Sequence, residues 1–159
     1  GLGEIGQGVA RIAKSFGAEV AYYSTSGKNK NDEFKSISLD EMLKNFDIIS
    51  IHAPLNENTK NLIGKSELNK MKNGAVLMNF GRGGIVDEKA LAKVVDEKDI
   101  KAILDVLEVE PMIKNHPLLN VKNKNNVLIT PHVAWGSKTA RDLLIKKISL
   151  NIENFLKNR

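Results

Sequence analysis

The sequence contains no cysteine, so it has neither a disulfide framework nor thiolate chemistry. No apolar run is long enough to span a membrane, and no signal-peptide pattern opens the chain. A cytoplasmic protein with no membrane partner is therefore expected. Aromatic residues make up only 5% of the chain, too few to suggest a platform for stacking bases. The formal net charge of +5 comes mostly from dispersed lysines, with no compact basic stripe, so no nucleic-acid partner is expected. There is no G-x-S-x-G, hence no hydrolase nucleophile elbow. His52, His116 and His132 are too scattered to suggest a metal site, and none is expected. There is no internal repeat. What the chain does have is 42% hydrophobic residues over 159 positions, enough for one real core.

That apolar content is arranged in a recognisable rhythm. Gly1–Leu2–Gly3–Glu4–Ile5–Gly6 is a G-x-G-x-x-G followed by a helix with Ile5, Val9, Ile12, Ala13 and Phe16 on one face. Strands are read at Val20–Tyr23, Asp47–Ile51, Ala75–Phe80, Ile100–Leu107 and Val127–Thr130. Thr59–Ile63 and Ser66–Met71 read as short helical segments. Ser38–Glu41 has capping-box spacing before another helix, and Asp87 is a good N-cap for the helix after the Arg82 turn. Thr25–Lys35 and Glu108–Asn126 read as loops. The last helix runs from about Ser137 to Leu156, with Ala140, Leu144, Ile148, Ile152 and Phe155 on an apolar face that expects partners. Strands alternating with helices give an α/β class with a mostly parallel sheet.

The polar residues gather where such strands end: Ser24, His52, Arg82, Glu110 and His132. In a parallel sheet those ends share one edge, where ligands bind. Arg82 sits in Phe80–Gly81–Arg82–Gly83–Gly84, a turn that carries either a donor fork for an anion or an ordinary surface arginine. His132 is either a hydrogen-bonded structural histidine or a proton exchanger, and Glu110 either a solvated carboxylate or its partner. Asp105, inside an apolar strand, needs a partner or a ligand. His52 is a packing residue or a cofactor contact through its loop backbone; His116 reads as an ordinary loop residue. One constellation uses every well-placed group: Arg82 holds an anionic substrate, His132 exchanges a proton, Glu110 orients the imidazole, and the glycine turn holds a nucleotide.

These stretches resemble the nucleotide-binding domain of the D-isomer-specific 2-hydroxyacid dehydrogenases. The likeness runs in order through Gly1–Gly6, His52–Leu55 with Thr59, Asn79–Asp87 with Ala90–Leu91, Asp105–Pro111, His116–Leu119 and Thr130–Ser137. It implies a Rossmann-type, doubly wound sheet with helices on both faces, and transfer of hydride between a nicotinamide cofactor and a small 2-hydroxy or 2-oxo acid. By resemblance Arg82 binds substrate, Glu110 is the acid partner and His132 the proton donor. Asp105 corresponds to the contact of the nicotinamide carboxamide. Gly1, Gly3, Glu4, Ile5, Gly6, Pro54, Thr59, Phe80 and Gly81 fall where the family touches the cofactor, with His52, Arg82 and His132 beside them. The segment Pro131–Ser137 is most similar to bacterial glycerate dehydrogenases, also called hydroxypyruvate reductases.

The chain departs from the family pattern in two ways. Ser24, 18 residues after Gly6, stands where the family usually carries the acid that holds the adenosine ribose. Lys28 and Lys30 lie nearby, so NAD is the expected cofactor with NADP tolerated. The strand before Gly1 and the substrate-binding domain are also missing from residues 1–159. The expectation is a fragment, with 137–157 leading back toward that other domain and the intact protein a homodimer paired through this one. Two other classes fit less of the pattern: a non-catalytic nucleotide sensor on the same fold, like the family's corepressors, and a basic nucleic-acid-binding module.

Overall fold

The computed structural model describes residues 1–27 and 31–158. Lys28 and Lys30, invoked above for cofactor choice, lie outside the described residues. The elements are α1 (Glu4–Ser15), β1 (Ala21–Tyr22), β2 (Lys35–Ser36), α2 (Leu39–Asn45), β3 (Ile48–Ile51), α3 (Lys65–Lys70), β4 (Val76–Asn79), α4 (Glu88–Glu97), β5 (Lys101–Leu104), β6 (Val127–Ile129) and α5 (Lys138–Lys157). Every pairing is parallel. β3, β4, β5 and β6 form one sheet in sequence order, and β1 and β2 a second. This is the Rossmann-like α/β class, and it brings the carboxyl ends of β3 to β6 to one edge.

Local chemistry starts the helices. The Ser38 hydroxyl accepts from the Glu41 N–H at 3.1 Å. The Asp87 carboxylate accepts from Lys89 and Ala90 N–H at 3.0 and 2.9 Å. Ser137 accepts from Ala140 N–H at 3.2 Å. Each such cap contributes about 1 kcal/mol by satisfying an otherwise orphan donor. The main core joins α2, α3 and α4 (Leu43, Leu68, Leu91, Val94 and Val95) to the inward positions of the sheet, Ile49, Leu77, Ala102 and Leu104. A smaller cluster holds Leu2, Ala10, Tyr22 and Phe34.

Several sequence expectations need correction. Thr59–Ile63 is a turn, not a helix. The Thr59 hydroxyl accepts from Asn56 N–H and donates to the Pro54 carbonyl, and Asn61 has φ 51°, which no helix tolerates. Ile63 then forms a parallel bridge to Val86. Lys35–Ser36, read as the end of a loop, is a two-residue strand. The strand at 100–107 stops at Leu104, so Asp105 follows it rather than lying inside it. The expected packing face of α1 is not covered: Gly6 and Ala10 are its buried positions, while Ile5, Val9, Ile12 and Phe16 are exposed. Nor does α5 bury any residue. No helix among the described residues is long and apolar enough to cross a membrane.

The two sheets do not hydrogen-bond to each other. Between them lies a cavity of about 400 Å³ whose lining includes Leu2, Ala10, Tyr22, Ile49 and Ile51.

The core makes a direct prediction. Leu91 is fully buried between α3 and the sheet. Leu91→Ala is expected to lower the unfolding free energy by about 2–5 kcal/mol through lost burial and a residual cavity. Urea denaturation of wild type and variant, read by circular dichroism, checks it.

Candidate active site

The carboxyl edge is built from four turns, one after each of β3, β4, β5 and β6. The turn after β4 carries Arg82. The buried Asn79, last residue of the strand, braces it: its amide nitrogen donates to the Arg82 carbonyl at 2.9 Å and its amide oxygen accepts from Gly81 N–H at 3.0 Å. The Asn61 N–H donates to Gly84 O at 2.8 Å from outside. The guanidinium donates to Gly81 O at 2.8 Å, which folds its base over its own turn.

The turn after β6 carries His132, whose backbone is left-handed at φ 53°. Such a conformation costs a non-glycine residue of order 1–3 kcal/mol and persists only where the surroundings hold it. Here Asp105 does the holding. Its carboxylate accepts from the Thr130 hydroxyl at 2.5 Å and from the N–H groups of Val133 and Ala134, both at 2.9 Å. On the other side the Trp135 indole N–H donates to His132 O at 2.8 Å. Burial pushes the Asp105 carboxyl up, but those hydrogen bonds and the His132 charge outweigh it. The net result lies below the ordinary carboxylate range. The partner that the sequence demanded for Asp105 is thus the backbone of the histidine turn.

Glu110 comes from the loop after β5. Its Oε2 lies 2.7 Å from His132 Nδ1 and its Oε1 accepts from Leu107 N–H at 2.8 Å. The hydrogen bond to His132, then that from Leu107, hold the Glu110 carboxyl below its usual value. A carboxylate on Nδ1 makes that nitrogen the donor and leaves Nε2 as the second ring nitrogen, with an acceptor lone pair in the neutral ring. Both side chains are about 40% exposed, so the pair adds little to stability. Its consequence is chemical.

The glycine turn fits a dinucleotide. A Cβ at Gly6 would stand 2.4 Å from the Gly1 carbonyl, so only glycine closes this turn, whereas a Cβ at Gly3 would meet nothing within 4 Å. α1 starts at Gly3 without a side-chain cap. Its first N–H groups are therefore open to an anion, and the space over Gly3 is open to the group carrying it. Pro54 lies in the turn after β3, and Phe80 and Gly81 in the turn after β4, beside this opening. Thr59, expected at the cofactor, is fully buried with its hydroxyl committed to the Pro54 turn; it shapes the wall rather than facing it. His52 is half-buried, with Nε2 at 2.8 Å from Ser50 Oγ, and burial lowers its pKa. The Ser24 hydroxyl lies 3.5 Å from that of Ser26.

Sequence reasoning missed three residues here. Asn79 was read only as strand. Glu88, the first residue of the helix that Asp87 caps, and His116, which reads as a loop residue, are buried against each other at 2.8 Å. A polar residue within an otherwise apolar strand was the available signal for Asn79. None pointed to a bond spanning 28 residues.

A glycine-rich turn before a helix, on the carboxyl edge of a parallel sheet that also presents an arginine and a carboxylate-paired histidine, defines a dinucleotide-binding domain of the oxidoreductase type. The sequence model of the D-isomer specific 2-hydroxyacid dehydrogenase NAD binding domain matches residues 1–134, and the chain belongs to that family. Among similar curated proteins, a glyoxylate reductase of Aeropyrum pernix is 41% identical over all of this chain and 48% of its own length. A hydroxypyruvate reductase of Blautia hydrogenotrophica is 35% identical over 99% of the chain and 49% of its own. Of solved structures, a D-lactate dehydrogenase from Aquifex aeolicus complexed with NAD and lactic acid aligns with TM-score 0.89 and 29% identity, over 99% of this chain and 52% of that one. An acyclic imino acid reductase in complex with NADPH and D-Arg aligns with TM-score 0.88 and 36% identity, over 99% and 50%. The chain spans about half the length of the curated relatives it matches.

The Asp105 anchor predicts an acid response. Its carboxyl is depressed in the fold, so its stabilisation is complete above the unfolded value of about 4 and is lost as pH falls through the lower folded value. Asp105→Asn turns an amide N–H₂ toward one of three donors. It is expected to cost about 1.5–3 kcal/mol at neutral pH and to flatten the loss of stability below pH 4. Thermal melts across pH 3–7 test both.

Proposed function

We propose that the intact protein is an oxidoreductase that moves hydride between a nicotinamide cofactor and C2 of a small 2-oxo or 2-hydroxy acid. Glycerate and hydroxypyruvate are the expected pair. The observation that carries this reading is the Glu110–His132 pair at 2.7 Å, on the strand edge that also bears the Arg82 turn. The hydroxypyruvate and glyoxylate reductases among the relatives support the substrate class.

When bound, the nicotinamide supplies or accepts the hydride. The chain's own residues do the rest. The open N–H groups of α1 and the turn Gly1–Gly6, with Glu4 and Ile5, hold the pyrophosphate, and Pro54, Phe80 and Gly81 line the way to the strand edge. Asp105 has three of its roughly four lone-pair positions occupied, which leaves Oδ2 one acceptance for a carboxamide N–H. Arg82 binds the substrate carboxylate through its planar fork and polarises the carbonyl. In reduction, C2 gains hydride and its oxygen takes the proton from His132 Nε2. Glu110 accepts from Nδ1–H throughout, fixing the ring and its tautomer. Oxidation runs the same proton back.

NAD is the proposed cofactor, consistent with the family's NAD binding domain, and NADP is tolerated. Ser24 lacks the charge with which an acid would repel a 2′-phosphate, and a related fold is known with NADPH. In the intact protein we place a further strand between β1 and β3, a substrate domain toward which α5 leads back, and a cytoplasmic homodimer paired through the nucleotide-binding domain. The uncovered apolar faces of α1 and α5 support a need for such partners.

In the full-length protein, reduction requires protonated His132 and falls as pH rises, whereas oxidation requires the neutral ring and rises over the same range. Glu110→Gln, which replaces the carboxylate that orients the ring, is expected to lower kcat/KM in both directions; unchanged values remove Glu110 from the mechanism. His132→Gln is expected to cut the rate about 100-fold or more. Arg82→Lys is expected to raise KM for the acid despite keeping the charge. For cofactor choice, kcat/KM with NADH and NADPH is expected to differ modestly; a preference for NADH of several orders of magnitude contradicts the role given to Ser24.

A further inference from the structure

The Arg82 turn and the Glu110 loop meet at a single peptide. A Cβ at Gly83 would lie 1.9 Å from the Leu107 carbonyl oxygen and 2.4 Å from the Glu108 nitrogen, so the backbone after Arg82 is pressed directly onto the Leu107–Glu108 peptide. On one side of that peptide, Leu107 N–H is held by Glu110 Oε1 at 2.8 Å. The peptide's own N–H, that of Glu108, is held by Glu88 Oε1 at 2.7 Å. Glu88 is the first residue of α4 and is 7% exposed. Its other oxygen, Oε2, lies 2.8 Å from Nε2 of His116, which is 4% exposed.

The tautomer follows from the remaining contact. Nδ1 of His116 accepts from Leu118 N–H at 3.3 Å, where it caps the 3-10 turn Pro117–Asn120. Nε2 therefore carries the proton and donates to Glu88. Both oxygens of a buried carboxylate are thus fixed by donors from two segments, and the carboxylate cannot rotate off the Glu108 N–H without leaving a buried donor unmet.

We infer that Glu88, oriented by His116, is a positioning residue for the proposed reaction: it clamps the peptide that sets Arg82 relative to the Glu110–His132 pair. Neither residue touches the reacting atoms; each acts through the Leu107–Glu108 peptide. The inference rests on the reading under Proposed function. Its scale follows from geometry, since a misplacement of about 1 Å between substrate anchor and proton donor costs up to 100-fold in rate.

The test uses the full-length protein with NADH and hydroxypyruvate. Glu88→Gln keeps the shape but turns an amide N–H₂ toward either Glu108 N–H or His116 Nε2–H. His116→Asn keeps an acceptor for Leu118 N–H, as a good N-cap residue, but cannot reach Glu88. Both variants are expected to lower kcat by roughly 10- to 100-fold. KM for the acid should rise, and the Kd for NADH, measured by fluorescence, should stay within about twofold of wild type. A role confined to stability would lower Tm yet leave kcat and KM for the acid at their wild-type values below the melting range. That result in folded variants overturns the inference. If Glu88→Gln does not fold, His116→Asn decides by the same readouts. Wild-type protein that binds NADH without reducing any 2-oxo acid overturns the functional reading itself, whereas active wild type with unchanged variants removes only the clamp.

Discussion

The carboxylate of Asp105 is the fixed point of the carboxyl edge of the sheet. It stands just past β5, almost wholly buried, and takes three hydrogen bonds from the strand end and turn that follow β6. A buried charge of this kind is destabilising unless its lone pairs are filled. Here the donors that fill them are Thr130, Val133 and Ala134, which flank His132. The cost of burying the carboxylate and the cost of the left-handed histidine are therefore met by the same contacts. Loosening either one releases the other.

Around that point the site is assembled from backbone contacts rather than long side chains. Gly83 lies on the Leu107–Glu108 peptide, and Asn79 ties the Arg82 carbonyl to the strand that launches it. The two side chains that reach outward are themselves tied down, the guanidinium of Arg82 to Gly81 O and the imidazole of His132 to Glu110. Such an edge suits chemistry in which the cofactor supplies the reducing equivalent and the protein supplies charge at fixed positions. The glycine turn is built likewise. Gly6 is needed for closure and Gly3 leaves open space, so the same motif both shapes the turn and admits a ligand.

Much of this was legible in the sequence because the chemistry sits where periodic patterns stop. Arg82, Glu110 and His132 each follow an apolar run, and a parallel sheet carries such ends to one edge. Asp105 was legible as a buried charge in need of partners, though not which ones. The rest depended on contacts without a local signature. Glu88 in a first helical turn reads as a dipole complement, and His116 before Pro117 as loop; only the fold joins them across 28 residues. Thr59–Ile63 has residues a helix accepts, but one hydroxyl bonded across the Pro54 turn decides against it. The α1 face failed differently. Its apolar period is real, yet the helix contacts its small cluster through Ala10, so Ile5 and Ile12 are left exposed and Val9 borders the cavity between the two sheets.

The central claim is that this edge transfers hydride and does not merely bind nucleotide. The most direct measurement follows isotope. The full-length protein is incubated with hydroxypyruvate and NADH deuterated at C4 of the nicotinamide, and the product is read by NMR. The account predicts glycerate carrying deuterium at C2, with the hydroxyl proton drawn from solvent, formed at least about 100-fold more slowly by His132→Gln. Saturable NADH binding without deuterium at C2 of any 2-hydroxy acid product would contradict it.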